Sequence, residues 1–177
     1  MTRRLAPWLI ALVAAAAAHF TVLALVPRMA MDQAMQTLGR DGQRLHQWIH
    51  ARRATPEART IVRPSPDLAY SICVYDLSQG DLRLRVTPSA GYWSLSLYDA
   101  DSDNYRVWND RDTPQGVDVV LTLSRDLAAD DPRIAAPSSR GVAAVRRLAP
   151  HTADWTRIQA SREQDQCKSI QAMSTTP

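Results

Sequence analysis

Residues 5–26, LAPWLIALVAAAAAHFTVLALV, contain no Asp, Glu, Lys or Arg. Such a stretch constrains the rest of the chain. As a helix it reaches about 33 Å, and the hydrocarbon core of a bilayer is about 30 Å thick. Ten of its residues are Leu, Ile, Val or Phe. On insertion scales these supply very roughly −3 to −6 kcal/mol, less the costs of Pro7 and His19. Pro7 falls in the first turn, where a missing N–H costs little, and Trp8 is placed for the interface. We read residues 1–27 as an uncleaved transmembrane signal-anchor. The alternative is a cleaved signal peptide, with Arg3 and Arg4 before the apolar core and a small-residue site near Ala16–Ala18. The apolar run resumes at Phe20–Val26, which favours the anchor. Either way the chain meets the export machinery. A short amino-terminal tail favours a single pass of the inner membrane with the body facing the periplasm or cell exterior. Arg28, Arg40 and Arg44 follow the span, so the positive-inside count does not decide the orientation.

The remaining 150 residues suffice for one domain with attachments. Charged residues at 22% and apolar residues at 45% describe a globular chain. A net charge of +3 argues against a nucleic-acid partner, as does the lack of aromatic residues interleaved with arginine. Residues 28–63 are Arg-rich and residues 99–131 are Asp-rich. The basic stretch is either a face near anionic headgroups or a solvated helix surface.

Met31, Met35, Leu38, Leu45 and Ile49 follow helical spacing, so residues 29–53 read as a juxtamembrane helix, broken or kinked at Gly39-Arg40-Asp41-Gly42. A linker completes the 28–60 segment. Residues 61–150 then alternate as short strands. Tyr70–Leu77 and Leu82–Val86 flank a Ser-Gln-Gly-Asp turn and are expected to pair as a hairpin. Trp93–Tyr98, Tyr105–Trp108, Val117–Leu123 and Gly141–Leu148 give four more. Pro64 and Pro66 hold the chain extended ahead of the first strand, and Asp67 suits an Asx-type turn. Asp76 falls at the strand end. Residues 152–171 read as a helix capped by Thr152 or Asp154, with Trp155, Ile158 and Cys167 on its packed side, inside a 151–177 helix-and-tail segment. The fold expected is mainly β: an antiparallel sandwich with an N-terminal transmembrane helix, a juxtamembrane helix and a C-terminal helix.

Arg63-Pro64, Pro66-Asp67, Tyr70-Ser71 and Asp76-Leu77, at their offsets, resemble the signature of the domain-of-unknown-function family numbered 1254. Gly91-Tyr-Trp-Ser-Leu-Ser-Leu-Tyr-Asp99 is similar to that family's aromatic strand. The resemblance covers about residues 60–150 and suits short membrane-anchored members. It implies a jelly-roll-like β fold and no established reaction. Larger relatives carry a second β domain that this chain is too short to hold, so the resemblance implies a separately encoded β-domain partner.

Arg63, Asp67, Tyr70 and Asp76 are the ligand-binding candidates. Two carboxylates with a guanidinium and a phenol allow acid–base work if they line one pocket; the plainer reading is a local ion pair and an ordinary strand tyrosine. Asp99, Asp101, Asp103 and Asp110 have the oxygen-ligand spacing of a calcium loop. Asn104 replaces the loop glycine, Asp110 the final glutamate, and strands flank it, so an Asp-rich turn is the plainer reading. Cys73 and Cys167 fit an oxidising compartment if they pair; otherwise Cys73 is a small core residue. His46 and His50 lack a third ligand, His19 stands alone, and no nucleophile elbow occurs. No cofactor is expected. Two functions remain: an exported binding or assembly module for a partner protein or amphiphilic ligand, or an enzyme or half-enzyme built on the Arg/Asp/Tyr cluster.

Overall fold

The computed structural model describes residues 2–55, 57, 63–128 and 130–170. Its first element is a long helix, α1 (Thr2–Gly39), which runs unbroken through Pro27 from the apolar segment into the following residues. The expected break at residue 39 is present and is final. Arg40, Asp41 and Gly42 all have positive φ, a run of left-handed backbone that no α-helix tolerates. The juxtamembrane helix expected to reach residue 53 therefore ends at Gly39. Beyond it, Leu45 bridges to Val74 and Ile49–His50 forms a short strand, β1.

Eight further strands follow: β2 (Leu68–Asp76), β3 (Asp81–Val86), β4 (Trp93–Tyr98), β5 (Asn104–Asn109), β6 (Val117–Thr122), β7 (Arg133–Ala135), β8 (Arg140–Leu148) and β9 (Gln166–Ile170). A second helix, α2 (Thr152–Gln164), lies before the last. One sheet has the order β1-β2-β8-β4-β5 and the other β7-β6-β3-β9. Pairing is antiparallel except between β6 and β7. All six strands expected from alternation are present, and the molecule is mainly β with a long apolar N-terminal helix and a C-terminal helix.

Two connections differ from expectation. The turn after Asp76 does not close a hairpin. β2 lies between β1 and β8, while β3 lies between β6 and β9, so residues 77–80 carry the chain from one sheet to the other. Both strands present an alternating face to the same core, a pattern that hairpins and sheet crossings share. The C-terminal helix stops at Gln164, where Asp165 turns extended. Cys167 lies on β9, paired with Leu84 of β3. The helix cap is His151, whose N–H donates to Asp154.

The core fills the space between the sheets. Tyr75, Leu82, Leu84, Trp93, Leu95 and Leu121 are each at most 1% exposed, and full burial of a large apolar side chain contributes about 1.5–3 kcal/mol. Cys73 of β2 and Cys167 of β9 form a disulfide through this core, joining one sheet to the other. On the outer face of the five-stranded sheet, the end of α1 packs through Met35 against Val74 and Val142. At the far end, Ile158 of α2 closes over Ala69 and Ala149.

The cross-link encloses a sequence separation of 94 residues, for which chain-entropy reasoning gives about 4–5 kcal/mol. Denaturation of the detergent-solubilised full-length chain should show Cys73→Ala/Cys167→Ala destabilised by about that amount, and reductant should reproduce the loss. An unchanged midpoint would refute the stapling role.

Candidate functional site

The structure does not gather Arg63, Asp67, Tyr70 and Asp76 around one point. Arg63 and Asp67 are exposed ahead of β2. The turn there is closed by Ser65, whose Oγ accepts the Asp67 N–H at 3.3 Å, rather than by the Asp67 carboxylate. The Ser65 N–H donates to the Tyr70 hydroxyl at 3.1 Å, and the Asp67 carbonyl accepts from Ala149 at 2.8 Å. Asp76 ends the same strand six residues beyond Tyr70, about 20 Å away at the rise of an extended chain. Its carboxylate accepts the Ser78 N–H at 2.9 Å, and its own N–H donates to His46 Nε2 at 3.0 Å. These residues shape the two ends of β2 and line no common cavity.

The Asp-rich turn grips α1. Asp99 Oδ1 accepts the N–H groups of Asp101 and Asp103, both at 2.9 Å, and Ser102 takes a left-handed conformation. That turn points Asp101 at Arg28, which donates to both carboxylate oxygens at 2.6 and 3.2 Å. The Ser102 hydroxyl donates to the Pro27 carbonyl at 2.8 Å. Asp110 lies beyond the other end of β5, its N–H bonded to the Trp93 carbonyl. Among the described residues no group of three or more His, Cys, Asp and Glu side chains could hold a metal ion. The calcium-loop spacing is therefore met by a turn whose carboxylates bind backbone N–H groups and an arginine. The Arg28–Asp101 pair is half exposed, so solvent screens it and it adds little stability, but it fixes where the helix leaves the domain.

A cluster that sequence reasoning missed lies at the opposite end. Arg147 and Asp165 form an ion pair at 2.9 Å with both side chains fully buried. Asp165 Oδ1 also accepts the Thr87 N–H at 2.9 Å, and Arg147 donates to the Thr87 carbonyl at 2.9 Å. Arg162 of α2 donates to the Tyr70 carbonyl at 3.0 Å and stacks over Trp155 at 5.0 Å. Burial, with Arg147 close by, lowers the Arg162 guanidinium to about 10. Burial raises the Asp165 carboxyl against the pull of Arg147. The imidazole of His50 lies 2.8 Å from the Ser71 hydroxyl. Desolvation, then the charges of Arg162 and Arg147, lowers it to about 4. A signal was available: Gly141, Ala143, Val145 and Arg147 share the inward face of β8, so alternation alone sends an arginine into the core.

A third polar contact sits inside the sandwich. The Tyr75 hydroxyl donates to the Tyr98 carbonyl at 3.1 Å and meets the Tyr105 hydroxyl at 3.0 Å. Burial pushes Tyr105 up to about 12 and Tyr75 higher still, so both stay neutral phenols. Gly141 is required here, because a Cβ would collide with the Tyr98 carbonyl and the Tyr75 ring. A shallow depression of about 200 Å³ near Arg85, Thr87, Gln115 and Asp118 holds no activated nucleophile, and Asp118 is occupied by Arg83.

These features define a two-sheet β module carried on a long apolar helix. A family profile described as "Protein of unknown function (DUF1254)" matches residues 45–169. The chain belongs to that family. In fold it is similar to the crystal structure of the VPA0106 protein from Vibrio parahaemolyticus, with a TM-score of 0.61 and 13% identity over 84% of this chain and 37% of that one. The chain thus spans little more than a third of that protein's length. An uncharacterized protein from Burkholderia cenocepacia matches 67% of this chain and 35% of its own, at 16% identity and a TM-score of 0.45. No curated protein matches.

Removing one partner of a buried ion pair costs about 3–5 kcal/mol, while replacing both by apolar groups is often near neutral. Arg147→Met and Asp165→Leu should each destabilise by that much in denaturation experiments, and the double variant by clearly less than their sum. His50 gives a pH dependence. Its folded value lies below the ordinary 6.5, so protons bind the unfolded chain first. Its contribution is intact above about pH 6.5 and is lost as pH falls toward 4. His50→Gln should flatten the fall in unfolding midpoint across that window.

Proposed function

We propose that this protein is a membrane-anchored envelope module. In this reading residues 1–27 cross the inner membrane, and a jelly-roll-like sandwich stands on the outer side as a binding or assembly platform for a second β-domain protein. One observation carries the reading. The most apolar 18-residue window of α1 has a mean hydropathy of 2.4 and none of it is buried by the rest of the molecule. The same helix, once past Arg28, buries Met35 to 2% exposure against the sheet. A helix that discards all protein contact over its apolar length and regains it afterwards suits a span that leaves lipid at Pro27. A signal sequence passes the same length and composition test, so the state of the amino terminus decides between them.

Three further features support the reading. The turn at residues 99–103 clamps the helix where the apolar run ends. The disulfide suits an oxidising compartment. The longer fold relative accommodates this module as a minor part of its chain. Amphiphilic ligands are a second class of occupant for such a platform. The enzyme alternative loses its geometric basis, since its four residues occupy both ends of β2.

Two arginines near the centre of a span cost about 6 kcal/mol of insertion relative to the residues they replace. The full-length chain should therefore remain in carbonate-washed membranes at unprocessed mass, with both cysteines oxidised, and Leu12→Arg/Val13→Arg should abolish retention. A chain trimmed near residues 16–18, or soluble with free thiols, would overturn the anchor.

A further inference from the structure

Beneath α2 the sandwich buries more positive charge than negative. Arg147, on the inward face of β8, is fully buried, and Arg162 of α2 is 3% exposed. Among the described residues the one ion pair they make is Arg147–Asp165. His50 is neutral in this setting and supplies no counter-charge. Two guanidiniums and one carboxylate leave a single positive charge uncompensated, and an unpaired charge is costly inside a protein.

The polar atoms of the cluster are incompletely used as well. Arg147 directs Nη2 at Asp165 and at the Thr87 carbonyl, but its Nε and Nη1 have no hydrogen-bond partner among the described residues. The same holds for Arg162 Nε and Trp48 Nε1. All four of these buried nitrogens are donors. They belong to one end of the sandwich. Arg162 donates to the Tyr70 carbonyl, which also accepts the Ala51 N–H, so its head lies at the end of β1. Trp48 precedes β1 and packs against the core between the sheets, and His50 sits opposite the fully buried Ser71. His50 itself reaches solvent, which gives the cluster a route to bulk ions past a strand of two residues.

We propose that this end of the sandwich is a binding site for one small monovalent anion of the halide type, held by Arg147, Arg162 and the Trp48 indole N–H. The inference goes beyond the membrane-module reading and does not depend on it. The rival occupant is water. Water satisfies guanidinium N–H groups, and it also suits Asp165 Oδ2, the one unpartnered acceptor here. It leaves the excess charge in place, whereas a monovalent anion removes it. Sulfate would reverse the imbalance instead of cancelling it, and its bulk does not suit an enclosed cluster.

The test titrates the detergent-solubilised full-length chain with sodium chloride against sodium gluconate, at constant ionic strength. An anion bound only by the folded state raises the unfolding midpoint along a saturating curve; a general salt effect does not saturate. The Trp48 indole N–H resonance, assigned by its loss in Trp48→Phe, should move along the same curve, while that of Trp8 stays fixed. Sulfate should leave the Trp48 resonance in place. Arg162→Met removes the uncompensated charge and should weaken the chloride response by about tenfold or more, the loss expected for a charged donor. Retained disulfide and a cooperative transition report that the variant has folded. Trp48→Phe keeps both charges and should weaken the chloride dependence of the midpoint without abolishing it. Equal midpoints in chloride and gluconate, a response that never saturates, a stationary Trp48 resonance, or an undiminished response in folded Arg162→Met would each overturn the anion site and leave water as the occupant. If Arg162→Met does not fold, the wild-type titration and Trp48→Phe decide the question.

Discussion

Asp165 stands where α2 stops and β9 begins, and its carboxylate accepts N–H groups from both Thr87 and Arg147. Two residues later Cys167 is bonded to Cys73 on the other sheet. These contacts hold the last strand against β3 and close the sandwich at the end where α2 docks. A buried guanidinium–carboxylate pair is weak evidence for stability in itself, because desolvation offsets much of the Coulomb attraction. Its value here is positional. An apolar replacement would fill the space without dictating that residue 165 leave the helix and turn into a strand. We regard the pair as the device that sets the chain path and the disulfide as the device that holds it.

The strands were legible because half-buried sheets write period two into a sequence. Leu82, Leu84 and Val86 against Arg83 and Arg85 state both the element and its buried face. What failed was connectivity. The turn after Asp76 carries the residues of a hairpin, yet its flanking strands join different sheets, because local alternation records which face is buried and not which edge is paired. β9 was hidden for a related reason: Gln166–Ile170 buries only Cys167, so no periodicity marks it, and a preceding helix pattern runs naturally into it. β1 is too short to leave a pattern at all.

The candidate sites divide in the same way. The family-like residues around Pro64 and Asp76 are real structural positions, but they organise the entry and exit of β2 instead of facing one another. The Asp99–Asp103 spacing was visible, and the chemistry that spacing suggests was not the one used. Asp99 satisfies backbone donors within its own turn, which leaves Asp101 for Arg28. Spacing specifies where carboxylates sit, whereas their partners come from a segment more than seventy residues earlier that no local motif contains. Arg147 was the reverse case, a position whose burial was implied by alternation while its partner Asp165, just past the end of α2, was not.

No flexible connector separates the apolar part of α1 from the part that packs on the sheet, and the clamp at Pro27 and Arg28 leaves little room for a swivel. On the proposed reading the sandwich is therefore a fixed post and not a tethered ball. Its height above the lipid and its azimuth about the helix axis are set by helical phase, with every residue of the span contributing about 100° of turn. Much of the rotational freedom that association ordinarily removes is already gone before any partner arrives. Collisions reduce to lateral diffusion in a plane, with one flank of the post always presented at the same level.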